Sequence, residues 1–188
     1  MVEPPEDLAA IDPLVGIQRY FSKDNDPMRP SKMCKAVSMV QKPSGLVSIG
    51  YEGRTSEELI GTLTGLGVTT LVDVRLTPLS RKPGLSKTRL NASCKAARIL
   101  YVHLPALGNP KDNRDPFRDG RADEGCIRFS VLLAMPTAVA AMDQLEAFAR
   151  DQCVAILCFE RDHDRCHRQV IVNELTDRIG DHLRLIHG

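Results

Sequence analysis

Between Gly45 and Arg75 the chain reads strand, helix, strand with joints of only a few residues, and that order leaves little choice of architecture. Leu46-Val-Ser-Ile-Gly50 is a short apolar run closed by a glycine. Thr55-Ser-Glu-Glu58 has the spacing of a capping box, in which Thr55 and Glu58 satisfy reciprocal backbone donors. Leu59, Ile60, Leu63 and Leu66 then recur at helical spacing until Gly67. Thr70-Leu-Val-Asp-Val74 is again almost wholly apolar and ends in charge at Arg75. Two strands joined by one helix in this way run parallel, and a parallel sheet needs cover on both faces.

The pattern repeats downstream. Ser86 to Arg98 reads as a helix, Ile99 to His103 as a third strand, and Cys153 to Phe159 as the most apolar strand of the chain. A helix from Thr137 carries Val139, Met142, Leu145, Phe148 and Ala149 on one side. Asp164 is placed to cap a last helix with a stripe of Ile171, Val172, Leu175 and Ile179, stopped by Gly180. Leu183 to Ile186 suits a final strand. The stretch Pro105–Ser130 mixes prolines, glycines and ten charges without a period, so it is expected to be a long loop of the lid or binding kind. The expectation is an α/β domain over residues 44–188: a three-layer, open, mostly parallel sheet of about five strands with helices on both faces. Residues 1–43 hold half of the twelve prolines and are expected to form a poorly structured arm, with a short helical turn near Leu14–Tyr20.

Composition narrows the function classes. The formal net charge is +1 and aromatic residues make up 4%, so neither a strong basic field nor a set of base-stacking platforms is available to a nucleic-acid-binding protein. The longest apolar run, Cys153 to Phe159, is seven residues, far short of a membrane span. The first residues, Met-Val-Glu-Pro-Pro-Glu-Asp, are acidic where a secretory leader is basic, and no apolar segment follows them. A cytoplasmic location is expected, with the six cysteines (Cys34, Cys94, Cys126, Cys153, Cys158 and Cys166) as reduced thiols.

In an open parallel sheet, ligands sit beyond the carboxyl ends of the strands. That rule gathers Tyr51–Arg54, Arg75–Lys87, His103–Arg114, Cys158–Arg168 and the residues after Ile186 on one rim. Two constellations stand out there. Arg75, Arg81, Lys82, Lys87 and Arg89 form a basic stretch with no acid among them, suited to a phosphate or carboxylate, although Arg75 has a structural alternative in a pair with Asp73. Cys158, Glu160, Cys166, His167 and Arg168 bring nucleophile, acid–base and cationic groups into eleven residues, with Cys166 and His167 expected in the first turn of a helix.

Three chemistries fit the second constellation. Cys158 or Cys166 would be a thiolate nucleophile with His167 as base; or Glu160 would work with His103 or His167 in proton transfer; or Cys158, Cys166 and His167 (or His163) would bind a metal, at a spacing unlike that of zinc fingers. The structural alternative is a core cysteine, a paired glutamate and a helix start. The leading expectation is a small enzyme or ligand-binding domain with a pocket for a small anionic or phosphate-bearing ligand, such as a nucleotide or nucleic-acid end. Arg54, Arg75, Arg81, Arg168 and Cys166 would bind it and Cys158, Glu160, His167 and His103 would act on it, without a metal ligand set. A metal-binding or thiol redox protein using Cys158, Cys166 and His167 is the alternative, and a nucleic-acid-binding accessory protein using Arg75 to Arg89 a further one. No cofactor and no oligomeric state can be named from these motifs.

Taken in order, Ser48-Ile-Gly-Tyr-Glu-Gly-Arg54, Val72-Asp-Val-Arg75 with Pro78 and Ser80-Arg81, Tyr101-Val-His103 with Leu107-Gly108, and Leu157-Cys-Phe-Glu160 through Cys166-His-Arg168 resemble the family catalogued as domain of unknown function 488. The resemblance runs from about Leu46 to His187 and implies an α/β fold. It implies signature roles for Arg54, Asp73, Arg75, Ser80, Arg81, His103, Gly108, Cys158, Glu160, Cys166, His167 and Arg168, but no activity. The arm lies outside it, and the segment around Phe129 lacks the aromatic pair expected there. A fainter resemblance to rhodanese-like sulfurtransferases rests on Val72-Asp-Val-Arg75 and a strand ending at a cysteine. The tight cysteine cradle of those proteins does not fit the eight-residue interval to Cys166.

Overall fold

The structure is a computed structural model that describes residues 45–180 and 184–188. The arm and its helical turn near Leu14–Tyr20 lie outside the described residues.

Five strands form one sheet: β1 (Gly45–Gly50), β2 (Thr70–Asp73), β3 (Leu100–His103), β4 (Cys153–Cys158) and β5 (Arg184–His187). Their order is β3-β2-β4-β1-β5, and every pairing is parallel. Six α-helices connect them: α1 (Ser56–Gly65), α2 (Lys87–Ala96), α3 (Asp115–Arg118), α4 (Ala122–Leu133), α5 (Pro136–Asp151) and α6 (Arg168–Ile179). The central strands β1, β2 and β4 are buried along their whole length, as their unbroken apolar runs require. The alternation of side chains along them separates two cores. Val47, Ile49, Leu71, Ala155 and Leu157 meet Leu59 and Leu63 of α1 and Leu90 and Cys94 of α2. Leu46, Val72, Val154, Ile156 and Cys158 meet α4, α5 and α6 through Phe129, Met142, Leu145, Ile171 and Leu175. A fully buried leucine such as Leu145 contributes about 2 kcal/mol by leaving water.

The expected capping box is present: the Thr55 hydroxyl accepts from the Glu58 amide at 3.2 Å and the Glu58 carboxylate from the Thr55 amide at 2.8 Å. Two expectations are corrected. Pro105–Ser130 is not a structureless loop; it folds into 3-10 turns at Pro105–Leu107 and Lys111–Asn113, then α3 and most of α4. Its helical period begins late, because the buried positions of α4 are Gly125, Phe129 and Leu133, one of them a glycine and one beyond the segment. Gly125 is required there: a Cβ would lie 2.6 Å from the Phe117 ring. Asp164 does not cap α6, which starts four residues later with His167 as its N-cap. Cys166 therefore precedes the helix and His167 bounds it.

A buried ion pair secures the end of β2. Arg75 donates from Nε to Asp73 Oδ1 at 2.8 Å and from Nη2 to Oδ2 at 2.6 Å, while Nη1 reaches the Leu85 carbonyl at 3.0 Å. Tyr101 on β3 donates to Asp73 Oδ2 at 2.6 Å. Burial alone would lower the Arg75 pKa, but Asp73 outweighs it and raises the value, so the guanidinium stays charged. Burial, followed by Asp73, raises the Tyr101 phenol and keeps it a donor. Asp73→Ala should cost about 3–5 kcal/mol in urea unfolding, because it strands a buried cation. A cost below about 1 kcal/mol would place the pair among weak surface bridges.

Candidate functional site

The helices that follow β1 and β2 cover one face of the sheet, whereas α6, which follows β4, covers the other. The chains leaving β4 and its neighbour β2 therefore turn to opposite faces, and a crevice opens at the carboxyl end of β4. A cavity of about 290 Å³ lies there, with Cys158, Phe159, Glu160 and His167 on one side. Tyr51, Arg75, Leu76 and Leu79 face them, and Asn109, Arg114 and Arg118 complete the wall.

Backbone bonds hold this geometry. Beyond the last register pair, Gly50 with Cys158, the Tyr51 amide donates to the Cys158 carbonyl at 3.3 Å and the Glu52 amide to the Phe159 carbonyl at 2.9 Å. Gly50 allows the strand ends to close up, since a Cβ there would lie 1.8 Å from the Glu160 carbonyl oxygen. Gly108 is pressed against Leu76 in the same manner, its Cβ position being 2.4 Å from the Leu76 amide nitrogen.

Four donor atoms converge on the cavity floor. Cys158 Sγ is 2.9 Å and Cys166 Sγ 3.2 Å from Glu160 Oε2, and His167 Nδ1 lies 3.9 Å from the first sulfur and 3.6 Å from the second. All four lie within 4.8 Å of one another. Cys158, Cys166 and His167 are buried, and Glu160 is half-buried on the cavity side. Arg168, with no exposed surface, donates from Nε to Cys166 Sγ at 3.3 Å and from Nη2 to the Glu160 carbonyl at 2.6 Å. The His167 ring packs edge-on against Phe129 at 4.9 Å, and its Nε2 is buried without a partner. Its Nδ1 faces both sulfurs, as a donor to a thiolate when protonated and as a lone pair when the ring proton is on Nε2.

The two thiols divide one proton. Burial opposes a Cys166 thiolate, but the hydrogen bond from Cys158 and the neighbouring His167 and Arg168 outweigh it, so Cys166 titrates well below the usual thiol range. Cys158 is pushed up, first by its hydrogen bond to Cys166 and then by burial. Burial, reinforced by the Cys166 charge, raises the Glu160 carboxyl.

Of the residues singled out from the sequence, Cys158, Glu160, Cys166, His167, Arg168 and Arg75 meet at this site. The others do not. Arg54 lies outside the cavity and donates to Thr62 Oγ1 at 3.2 Å, and Arg81 is exposed elsewhere. His103 bonds the Arg75 carbonyl at 2.9 Å and neighbours Lys87 Nζ at 3.1 Å, also off the cavity. Arg75 is committed to Asp73 and Leu85, which takes it out of the basic stretch as a free anion ligand. The Tyr51–Arg54 turn offers few amides to a phosphate, because those of Tyr51, Glu52 and Arg54 are all bonded. Arg114, Arg118 and Phe159 were not anticipated as site residues. Arg114 and Phe159 sit in the expected rim segments; Arg118 is brought in by α3, which only the tertiary fold reveals.

A family model, "Domain of unknown function DUF488", matches residues 55–175. No curated protein and no solved structure matches significantly. The chain belongs to the DUF488 family, and the matched region contains the whole cluster.

At neutral pH the metal-free protein should show ultraviolet thiolate absorbance that fades on acidification and is absent from Cys166→Ser; equal absorbance in that variant would assign the thiolate elsewhere. Gly50→Ala should displace the Phe159–Arg161 backbone and open the cluster, seen as faster alkylation of Cys158 and Cys166 under folded conditions by peptide mapping. Unchanged alkylation rates would mean that the close approach to Glu160 is dispensable.

Proposed function

We propose that this DUF488 member is a metal-dependent hydrolytic enzyme acting on an anion-bearing substrate, with a zinc-type divalent cation held by Cys158, Cys166 and His167 at the floor of the cavity. The observation that carries the reading is the convergence of two sulfurs, one imidazole nitrogen and one carboxylate oxygen within 4.8 Å. Zinc–sulfur bonds of about 2.3 Å and zinc–nitrogen bonds of about 2.0 Å give tetrahedral S···N edges of about 3.6 Å. The two S···N distances are 3.6 and 3.9 Å. The S···O distances, 2.9 and 3.2 Å, are shorter than a tetrahedral edge and are hydrogen-bond contacts rather than edges between ligands of one ion. That difference favours three protein ligands with Glu160 beside the fourth position, the arrangement of a catalytic rather than a closed structural site.

A cation held there supplies Lewis acidity and makes water a usable nucleophile at neutral pH. Glu160, which lines the cavity beside the cluster, is placed to accept a proton from water at the fourth position and to return it to a leaving group. Arg168 bonds the Cys166 sulfur from outside the ligand set, which lowers the thiolate's basicity and fixes its direction. Arg114 and Arg118 line the cavity with cationic groups near its opening. The nucleic-acid accessory reading loses support because Arg75, the first residue of its patch, is buried.

Protein purified without chelator should contain about one zinc-type ion per chain by elemental analysis. Cys158→Ser, Cys166→Ser and His167→Ala should each lose it while keeping the circular dichroism of the parent. Folded protein with no ion and freely titrating thiols would sink the metal reading in favour of thiol chemistry at Cys166.

A further inference from the structure

The cavity over the cluster continues past Phe159 into a second hollow of about 180 Å³. Arg118, Phe159 and Glu160 line both. The two lobes differ in chemistry. The larger has Arg114 and Arg118 as its available cations, Arg75 being paired with Asp73, and a single acid, Glu160, in its lining. The smaller sets three acids, Glu52, Glu160 and Asp162, against two arginines, Arg118 and Arg165, beside Phe117 and Phe159. An anionic group is favoured in the first over the second, whose acids outnumber its cations and which suits an uncharged group with N–H donors and a flat apolar face.

Phe159 is the unusual residue. It follows a strand buried along its whole length, yet it is 42% exposed at the junction of the lobes, its ring set at 83° to Tyr51 with centroids 5.4 Å apart. Leu76 and Leu79, at 43% and 77% exposure, stand across the larger lobe. Three large apolar side chains around one charged cavity leave apolar surface for a ligand to cover. Arg118 is the exposed cation shared by the two lobes: its side chain is 63% exposed and its paired carboxylate, Asp115, is 3.7 Å away. Its backbone is fixed, because Arg165 donates to the Arg118 carbonyl at 2.7 Å and so ties α3 to the loop that carries the cluster.

We infer that the two-lobed cleft binds a nucleotide, with the phosphate in the larger lobe against Arg114 and Arg118 and the base in the smaller lobe against Phe159. This rests on the reading of the cleft as the active site. Inorganic phosphate, lacking a base, would use only the first lobe; a nucleoside would use only the second. Either fragment alone therefore forgoes the interaction that the other lobe supplies. The same chemistry is presented by a free nucleotide and by the 5′-phosphorylated end of a strand.

The test is calorimetric or NMR titration of the purified full chain with inorganic phosphate, adenosine, AMP, and a 5′-phosphorylated tetranucleotide. AMP should bind about tenfold or more tightly than phosphate or adenosine. Phe159→Ala should remove the advantage over phosphate, and Arg118→Ala the advantage over adenosine. Both residues are exposed or half-free, so the fold should persist, as thermal unfolding will verify. Tetranucleotide binding at least as tight as AMP assigns the ligand to a strand end, and weaker binding assigns it to a free nucleotide; either upholds the inference. AMP binding no tighter than phosphate overturns it, whatever the metal content. Conversely, AMP binding that depends on Phe159 and Arg118 in a protein without metal upholds the nucleotide cleft and removes only the metal centre.

Discussion

An arginine side chain with no solvent-exposed surface has lost its hydration and must recover the loss from protein groups, a demand worth several kcal/mol if left unmet. Arg168 meets part of that demand with the Cys166 sulfur and the Glu160 carbonyl, while its Nη1 is buried without a partner. The sulfur is a far better partner as a thiolate than as a thiol, so the buried cation adds to the hydrogen bond from Cys158 and the neighbouring His167 in lowering the Cys166 pKa. The carbonyl bond also sets the path of the chain beyond β4, and Gly50 leaves room for that path. Reactive groups sit where they do because a buried charge at the start of α6 has to be neutralised from the preceding loop.

The Asp73–Arg75 pair performs the corresponding task across the crevice. It links the end of β2 to β3 through Tyr101 and to the following loop through Leu85. Its product is rigidity: Arg75 presents an immobile wall, and the anion-binding capacity passes to Arg114 and Arg118. Two buried arginines thus divide support between them, one holding the cluster and one the opposite rim.

Sequence reading placed the cluster well because Cys158, Glu160, Cys166, His167 and Arg168 lie close in sequence at the end of an unmistakable strand. It placed Arg54, Arg81 and His103 less well. All three are polar residues in rim segments, but a strand-end rule assigns residues to an edge and says nothing about which way each side chain turns. Arg54 turns onto α1 and His103 onto the Arg75 carbonyl. The helical content of Pro105–Ser130 was hidden because short helices with glycine and proline inside them carry little periodicity; burial of Phe117, Phe129 and Leu133 stabilises them.

What the sequence determined by itself is the parallel α/β sheet, the capping of α1, the two apolar cores and the segment in which reactive groups concentrate. These follow from local periodicity and spacing, which a linear chain displays directly. Tertiary structure decided which charges face the cleft, which are consumed by partners, and that sulfur, nitrogen and oxygen donors meet at one point. Those outcomes depend on contacts between residues far apart in the chain, such as Gly50 with Glu160 and Arg118 with Arg165. Direction and distance in space, rather than residue type, separate a binding arginine from a structural one.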